Sequence, residues 1–174
     1  MTTQKFSIVV ATDEKRGIGK DNKIPWHIKE DLLNLKKLTQ SQVVIVGANT
    51  YISMQDYYDV SGREMPGKVY IVITDDKIFK PSRLNAVCVY SIEEAINQAK
   101  SYDTNEVFII GGSQIFKQMI RFANKLYLTV VKGDFECDSF FPGYSDFKNV
   151  ISSKREKNET NEFEFKILER ITKE

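Results

Sequence analysis

The sequence predicts an α/β protein: a single domain with a mostly parallel central sheet, flanking helices and a C-terminal antiparallel hairpin. Two observations carry this. Four short runs, Ile8-Val9-Val10-Ala11, Val43 to Val46, Val69 to Ile73 and Val107 to Ile110, are rich in branched residues and do not alternate with polar ones, the pattern of strands buried on both faces. Stretches with helical spacing lie between them, and strands alternating with helices build a parallel sheet through crossover connections.

After the first strand, Ile28, Leu32, Leu35 and Leu38 recur at helical spacing, so a helix should turn this stripe inward. Val43 to Val46 runs into Gly47 and a helix start. Ile92, Ala95, Ile96 and Ala99 follow a Ser91-x-x-Glu94 capping box, which marks a helix N-terminus. A further helix should begin near Ser113 with Ile115, Phe116, Met119 and Ile120 on its inner face. The C-terminal third changes character: Leu126 to Val131 and Phe163 to Ile167 flank the polar stretch Ser152 to Glu162, which shows no helical period and predicts the closing hairpin. Pro66-Gly67 and Pro142-Gly143 are the clearest turn signals.

With 174 residues, 41% hydrophobic and 28% charged, the chain 1–174 has the size and composition of one globular domain. Lys plus Arg (25) and Asp plus Glu (24) leave a net charge of +1, so it lacks the basic field that non-specific nucleic-acid binding uses. Its apolar runs of four residues fall far short of the ~20 that span a bilayer. The N-terminal residues show no signal-peptide pattern. Cys88 and Cys137 are far apart and the chain has one His, which suits neither a disulfide framework nor a zinc site. The expectation is a cytoplasmic, metal-free monomer without nucleic-acid or membrane partners.

Two strands end in glycine at a helix start: Val46-Gly47-Ala48-Asn49-Thr50 and Ile110-Gly111-Gly112-Ser113. There the missing side chain lets backbone N–H groups approach a phosphate, although a strand-end glycine can also simply make a turn. Two such junctions in one small sheet favour a dinucleotide, yet neither is a GxGxxG or Walker sequence. Asp31 falls inside the apolar stripe of its helix. One reading is a first-turn acid favoured by the helix dipole; the other is a buried carboxyl, raised in pKa by desolvation, that meets a ligand's nitrogen donors. Upstream, Gly17-Ile18-Gly19-Lys20-Asp21-Asn22-Lys23-Ile24-Pro25-Trp26 delivers the single Trp to the start of that helix. His27 has no assigned role.

Taken in order with Val46-Gly47-x-x-Thr50, Met65-Pro66-Gly67, Ile109-Ile110-Gly111-Gly112 and Leu126-Tyr127-Leu128-Thr129, this segment resembles the dihydrofolate reductase family from about Phe6 to the C-terminal strand. The G-I-G-K-D-N-x-I-P-W string with an acid five residues beyond the Trp is its most specific part. The resemblance implies hydride transfer from NADPH to C6 of 7,8-dihydrofolate, with protonation at N5. Asp31, Trp26 and Thr129 would be the catalytic group. Asp31 would hold the pterin and accept from Thr129, and a water beside Trp26 and Ile24 would carry the proton. Val9, Val10, Ala11, Ile24, Leu32, Leu35 and Lys68 would bind substrate. Ala11, Ile18, Gly19, Gly47, Asn49, Thr50, Thr74, Asp75, Gly111, Gly112, Ser113, Gln114 and Ile115 would bind the cofactor, with a cis Gly111–Gly112 peptide and a mobile loop Gly17 to Ile24.

The sequence departs from the family pattern in four places. Lys68 stands where an Arg usually clamps the substrate's glutamate, Ala48 where a basic residue usually faces the 2′-phosphate, and Asp75 where small or polar residues usually meet that phosphate. Gln55 to Gly62 is longer than typical. NADPH is expected, with NADH use possible in principle. The alternatives are a reductase of a smaller pterin or of a flavin-pathway pyrimidine on the same fold, or a nucleotide-binding protein without activity. Trp26 and Asp31 argue against the pyrimidine and non-catalytic versions.

Overall fold

The computed structural model describes residues 3–171. Met1, Thr2 and the last three residues of the predicted 1–174 domain lie outside them. In chain order the elements are β1 (Lys5–Asp13), β2 (Gly17–Gly19), α1 (Lys29–Thr39), β3 (Val43–Gly47), α2 (Ala48–Ser61), β4 (Val69–Ile73), β5 (Ala86–Val89), α3 (Ile92–Lys100), β6 (Glu106–Ile109), α4 (Ser113–Met119), a 3-10 turn (Ile120–Phe122), β7 (Ala123–Val131), β8 (Ser139–Phe140), β9 (Asn149–Lys157) and β10 (Glu162–Glu169). Eight strands form one sheet in the order β5-β4-β3-β6-β1-β7-β10-β9, and β2 pairs with β8 apart from it. Among the described residues of this sheet, β10 is antiparallel to both β7 and β9, and the other adjacent pairs are parallel. The predicted α/β class, with a mostly parallel sheet and antiparallel C-terminal strands, is the one observed. No described helix is long and apolar enough to cross a membrane.

The four unalternating runs fall within β1, β3, β4 and β6, toward the middle of the sheet, except that Ile110 lies one residue past the end of β6. One face packs against α3 and α4 through Ile8, Val10, Ile45, Ile109, Ala95, Ile115 and Phe116. The Ser91 cap forms, its hydroxyl accepting from the Glu94 N–H at 3.0 Å, while the Glu94 carboxylate accepts from the N–H of Tyr90, one residue before the N-cap, at 2.8 Å.

Three expectations are corrected. Ile28 does not belong to the α1 stripe but precedes the helix as its N-cap, and Leu32 is exposed, so the apolar face of α1 is only partly covered. The polar stretch Ser152 to Glu162 is not a simple connection: it holds most of β9, an edge strand whose side chains are nearly all exposed. The hairpin therefore joins β9 to β10, and β10 separates β9 from β7. Ile120 lies in the 3-10 turn after α4. The long segment Gln55 to Gly62 forms the last turns of α2, closed by Gly62 in the left-handed conformation (φ 67°). Pro66 sits in a bend, whereas Pro142-Gly143 lies in irregular chain.

Candidate active site

Along β1 the side chains alternate between faces. Val9 and Ala11 face α1, whereas Val10 joins the core on the other side with Ile115 and Phe116. The side chains of Val10 and Ile115 are buried there. Ala11 is in register with Thr129 on β7, so the two side chains stand together beneath the first turn of α1. There the Thr129 hydroxyl donates to Asp31 Oδ1 at 2.6 Å. Asp31 is both the first-turn acid and the desolvated one: burial pushes its pKa up, and the Thr129 hydrogen bond partly offsets this.

Trp26 is buried in a cluster with Ile28, Val131 and Phe163, against Ala11 and Phe135. Its ring meets Phe135 edge-on, with centroids 5.1 Å apart. Ile24, two residues before it, is 62% exposed. The segment between β2 and Trp26 is a tight hairpin. Lys20 and Lys23 exchange backbone hydrogen bonds of 2.8 and 2.9 Å, with Asp21 and Asn22 at φ 51° and 60°, the left-handed pair of a type I′ turn. The G-K-D-N-K string is therefore turn chemistry. Its flank is laced to residues 133–141: the Asp138 N–H donates to Gly19 O (2.9 Å), and the Asp21 N–H donates to Asp138 Oδ2 (3.0 Å).

The residue that sequence reasoning missed is Asp13. Buried at the end of β1, its Oδ1 accepts from the N–H groups of Lys15 (2.9 Å) and Gly17 (2.7 Å), and its Oδ2 from the Phe135 N–H (3.1 Å). It ties the Trp26 hairpin to the segment that supplies Phe135. An Asp at a strand end before turn residues was the available signal; the Phe135 contact is long-range and left none.

The two glycine junctions are neighbours. The Gly47 N–H donates to Gly111 O at 2.7 Å, which sets the starts of α2 and α4 side by side. Neither helix has a side-chain cap, so their first N–H groups await a partner. The junction is also tight. A Cβ on Gly47 would lie 3.1 Å from Ile115 Cγ1, and one on Gly112 3.1 Å from Thr50 Oγ1. Gly111 sits at φ 120°, and the Gly111–Gly112 peptide is cis. Ile18 packs on the core, while Asn49 and Gln114 are exposed. At the end of β4, Thr74 is buried and accepts the Asp76 N–H at 3.1 Å, and Asp75 is exposed.

These groups all lie at the carboxyl ends of parallel strands, where open α/β sheets bind ligands. Lys68 does not. It precedes β4, at the opposite end of the strands, beside the C-terminal end of α1, where the Ser41 N–H meets Pro66 O. Asp31 and Lys68 thus bracket α1, with Asp31 and Thr39 eight residues apart, about 12 Å along the axis.

The dihydrofolate reductase family profile matches residues 5–171. The chain belongs to the dihydrofolate reductase family. It is 37% identical over 171 residues to the dihydrofolate reductase of Staphylococcus haemolyticus, covering 96% of each chain, and 32% identical over 167 residues to that of Bacillus subtilis, covering 94% and 92%. Its structure is similar to that of the dihydrofolate reductase from Enterococcus faecalis solved with NADP(H), with a TM-score of 0.81, 26% identity, and 95% and 96% of the two chains covered.

Proposed function

We propose that, in the NADPH-dependent reduction of 7,8-dihydrofolate to tetrahydrofolate, Asp31 and Thr129 fix the pterin, Trp26 and Ile24 govern water beside it, and Lys68 meets the anionic tail. The observation that carries this reading is the desolvated Asp31 carboxyl held by Thr129 beside Trp26. Desolvation strengthens what the carboxyl does for a partner with two aligned N–H donors, the pattern of the pterin N3 and 2-amino groups. Thr129 occupies one lone-pair direction of Oδ1 and so orients the rest. Asp31 does not have to reach N5: its field polarises a water entering past the exposed Ile24, and the buried Trp26 and Phe135 edges restrict that water to one side. Val9, Ala11, Leu32 and Leu35 supply the apolar walls.

The glycine junction fits a dinucleotide. Side chains at Gly47 and Gly112 would fill the space, and the uncapped starts of α2 and α4 offer N–H groups to a pyrophosphate. Bound there, NADPH supplies the hydride that C6 receives. Ala11, Ile18 and Gly19 would border the nicotinamide, Gly47, Asn49, Thr50, Gly111, Gly112, Ser113, Gln114 and Ile115 the pyrophosphate through side-chain or backbone groups, and Thr74 and Asp75 the adenosine end. We read residues 1–174 as one domain acting as a cytoplasmic monomer on a small molecule, without nucleic-acid or membrane partners.

The test is the initial loss of nicotinamide absorbance with dihydrofolate and each of NADPH and NADH, for the wild type and Asp31→Asn. Turnover at pH 7 should fall by orders of magnitude in the variant and partly recover at low pH, where substrate arrives protonated. Near-native turnover at pH 7 would reduce Asp31 to a helix-start acid.

A further inference from the structure

We propose that Tyr70 and Asn85 are positioning residues for the substrate's anionic tail, because together they immobilise the turn that presents Lys68. This rests on reading Lys68 as the tail's cationic partner.

Every backbone donor and acceptor from Pro66 to Lys68 is engaged. Pro66 O accepts from the Ser41 N–H (2.9 Å), and the Lys68 N–H donates to Gln42 O (2.8 Å). Both groups of Gly67 are held by side chains: its N–H donates to the Tyr70 hydroxyl at 2.7 Å, and its carbonyl accepts from Asn85 Nδ2 at 3.2 Å. The same Asn85 amide lies 3.5 Å from Lys68 O. Surface connections ordinarily leave several such groups to water.

The clamp is itself rigid. Tyr70 is fully buried, with its ring edge-on to Tyr51 at 5.8 Å. Burial pushes its phenol up to about 12, so it stays neutral at working pH. The ring fits beneath Gly67 only because that residue has no side chain: a Cβ would lie 2.6 Å from Tyr70 Cζ. The Asn85 backbone carbonyl in turn accepts the Tyr70 backbone N–H at 2.9 Å, which holds the two clamp residues side by side.

At the end of this fixed turn, Lys68 is exposed and makes no ion pair with any described residue. Only its four-carbon stem is free. A lysine is a flexible point charge without the planar fork of arginine, and ordering it on a ligand costs affinity. Fixing its root limits that cost to the stem, so the clamp partly compensates for the absent fork.

The experiment measures kcat and KM for dihydrofolate and for a dihydropterin lacking the benzoyl-glutamate tail, in the wild type, Tyr70→Phe, Asn85→Ala, Lys68→Met and Tyr70→Phe/Lys68→Met. Tyr70→Phe keeps the ring and removes the hydroxyl that holds Gly67. KM for dihydrofolate, relative to the tail-less substrate, should rise at least about three-fold in Tyr70→Phe and Asn85→Ala, and no further than in Lys68→Met. kcat should stay within about two-fold. In the Lys68→Met background Tyr70→Phe should add nothing to that ratio. Equal changes for both substrates, or none, with Lys68→Met still selective, would overturn the positioning role alone. A Lys68→Met variant without selectivity would overturn the tail reading and the positioning role together. Should Tyr70→Phe fold poorly, Asn85→Ala decides by the same ratios.

Discussion

Replacing Gly17 with Ala should damage stability and turnover together, and the size of the effect follows from three distances. A Cβ at Gly17 would stand 2.5 Å from Cys137 Cβ, 2.6 Å from Cys137 Sγ and 2.9 Å from Asp13 Oδ1. Carbon atoms in contact prefer about 3.5–4.0 Å, so β2 or the Cys137 segment must move by about 1 Å. Neither yields easily. Asp13 is held by three backbone N–H groups, and Cys137 packs with Trp26 and Phe135. Overpacking costs about 1–3 kcal/mol, and two anchored neighbours put this case near ~2–3 kcal/mol. For a chain of this size that lowers Tm by about 5–10 °C. The displaced strand carries Gly19, whose carbonyl receives the Asp138 N–H, so the Trp26 hairpin should loosen and kcat/KM fall by about ten-fold, roughly 1.4 kcal/mol. Cys137→Gly removes two of the three obstacles, at its own packing cost of about 1–2 kcal/mol. The double variant should be more stable than the sum of the singles by at least ~1 kcal/mol. Urea denaturation of the four proteins, with initial rates, checks this. Additivity within about 0.5 kcal/mol, or an unimpaired Gly17→Ala, would refute the clash.

Asp31→Asn should have a stability advantage that depends on pH. Burial raises the native pKa above the ordinary value of a free carboxyl, so Asp31 costs no stability below that ordinary value and progressively more as pH climbs from it through the raised native pKa. Urea denaturation should show a small advantage at pH 4 and the full one at pH 7.5; the reverse order would contradict burial as the cause. Lys68→Arg should lower KM for dihydrofolate by about ten-fold, the worth of one added charge-assisted hydrogen bond, with little change for the tail-less pterin; equal effects would place Lys68 away from the carboxylate. Ala48→Arg with Asp75→Ser should shift kcat/KM toward NADPH over NADH by at least about ten-fold, and no shift alongside strong wild-type NADPH preference would remove both positions from the 2′-phosphate.

What could be read from the sequence was whatever repeats locally. The unalternating runs mark strands covered on both faces, and the Ser91–Glu94 box fixes the start of α3 to the residue. The pattern misled where an element faces water or a cleft. Along β9, Ser152 to Lys157 is polar on both faces because neither face of this edge strand is covered. The α1 stripe has the right period but is only partly covered, so Leu32 is exposed where a core helix would hide it. At the site, Asp31 and Trp26 stood out by position within a pattern. Phe135, Tyr70 and Asn85 did not, since their partners lie across the fold or in a turn whose hydrogen bonds no spacing encodes, and Asp13 offered only the local signal of an Asp before a turn.

The placement of β10 between β7 and β9 bears on how the protein is made. A strand at a sheet's rim can arrive late and leave the rest nearly whole, but residues 162–169 form an interior rung with ladders on both sides. Until a nascent chain has released them from the ribosome, β7 carries an open edge and β9 has nothing to pair with. During that interval Val131 lacks its partner Phe163, and the pocket that encloses Trp26 lacks a wall. The pocket around Trp26 thus has its full set of walls only once residues 162–169, far behind Trp26 and Asp31 in the chain, have paired with β7.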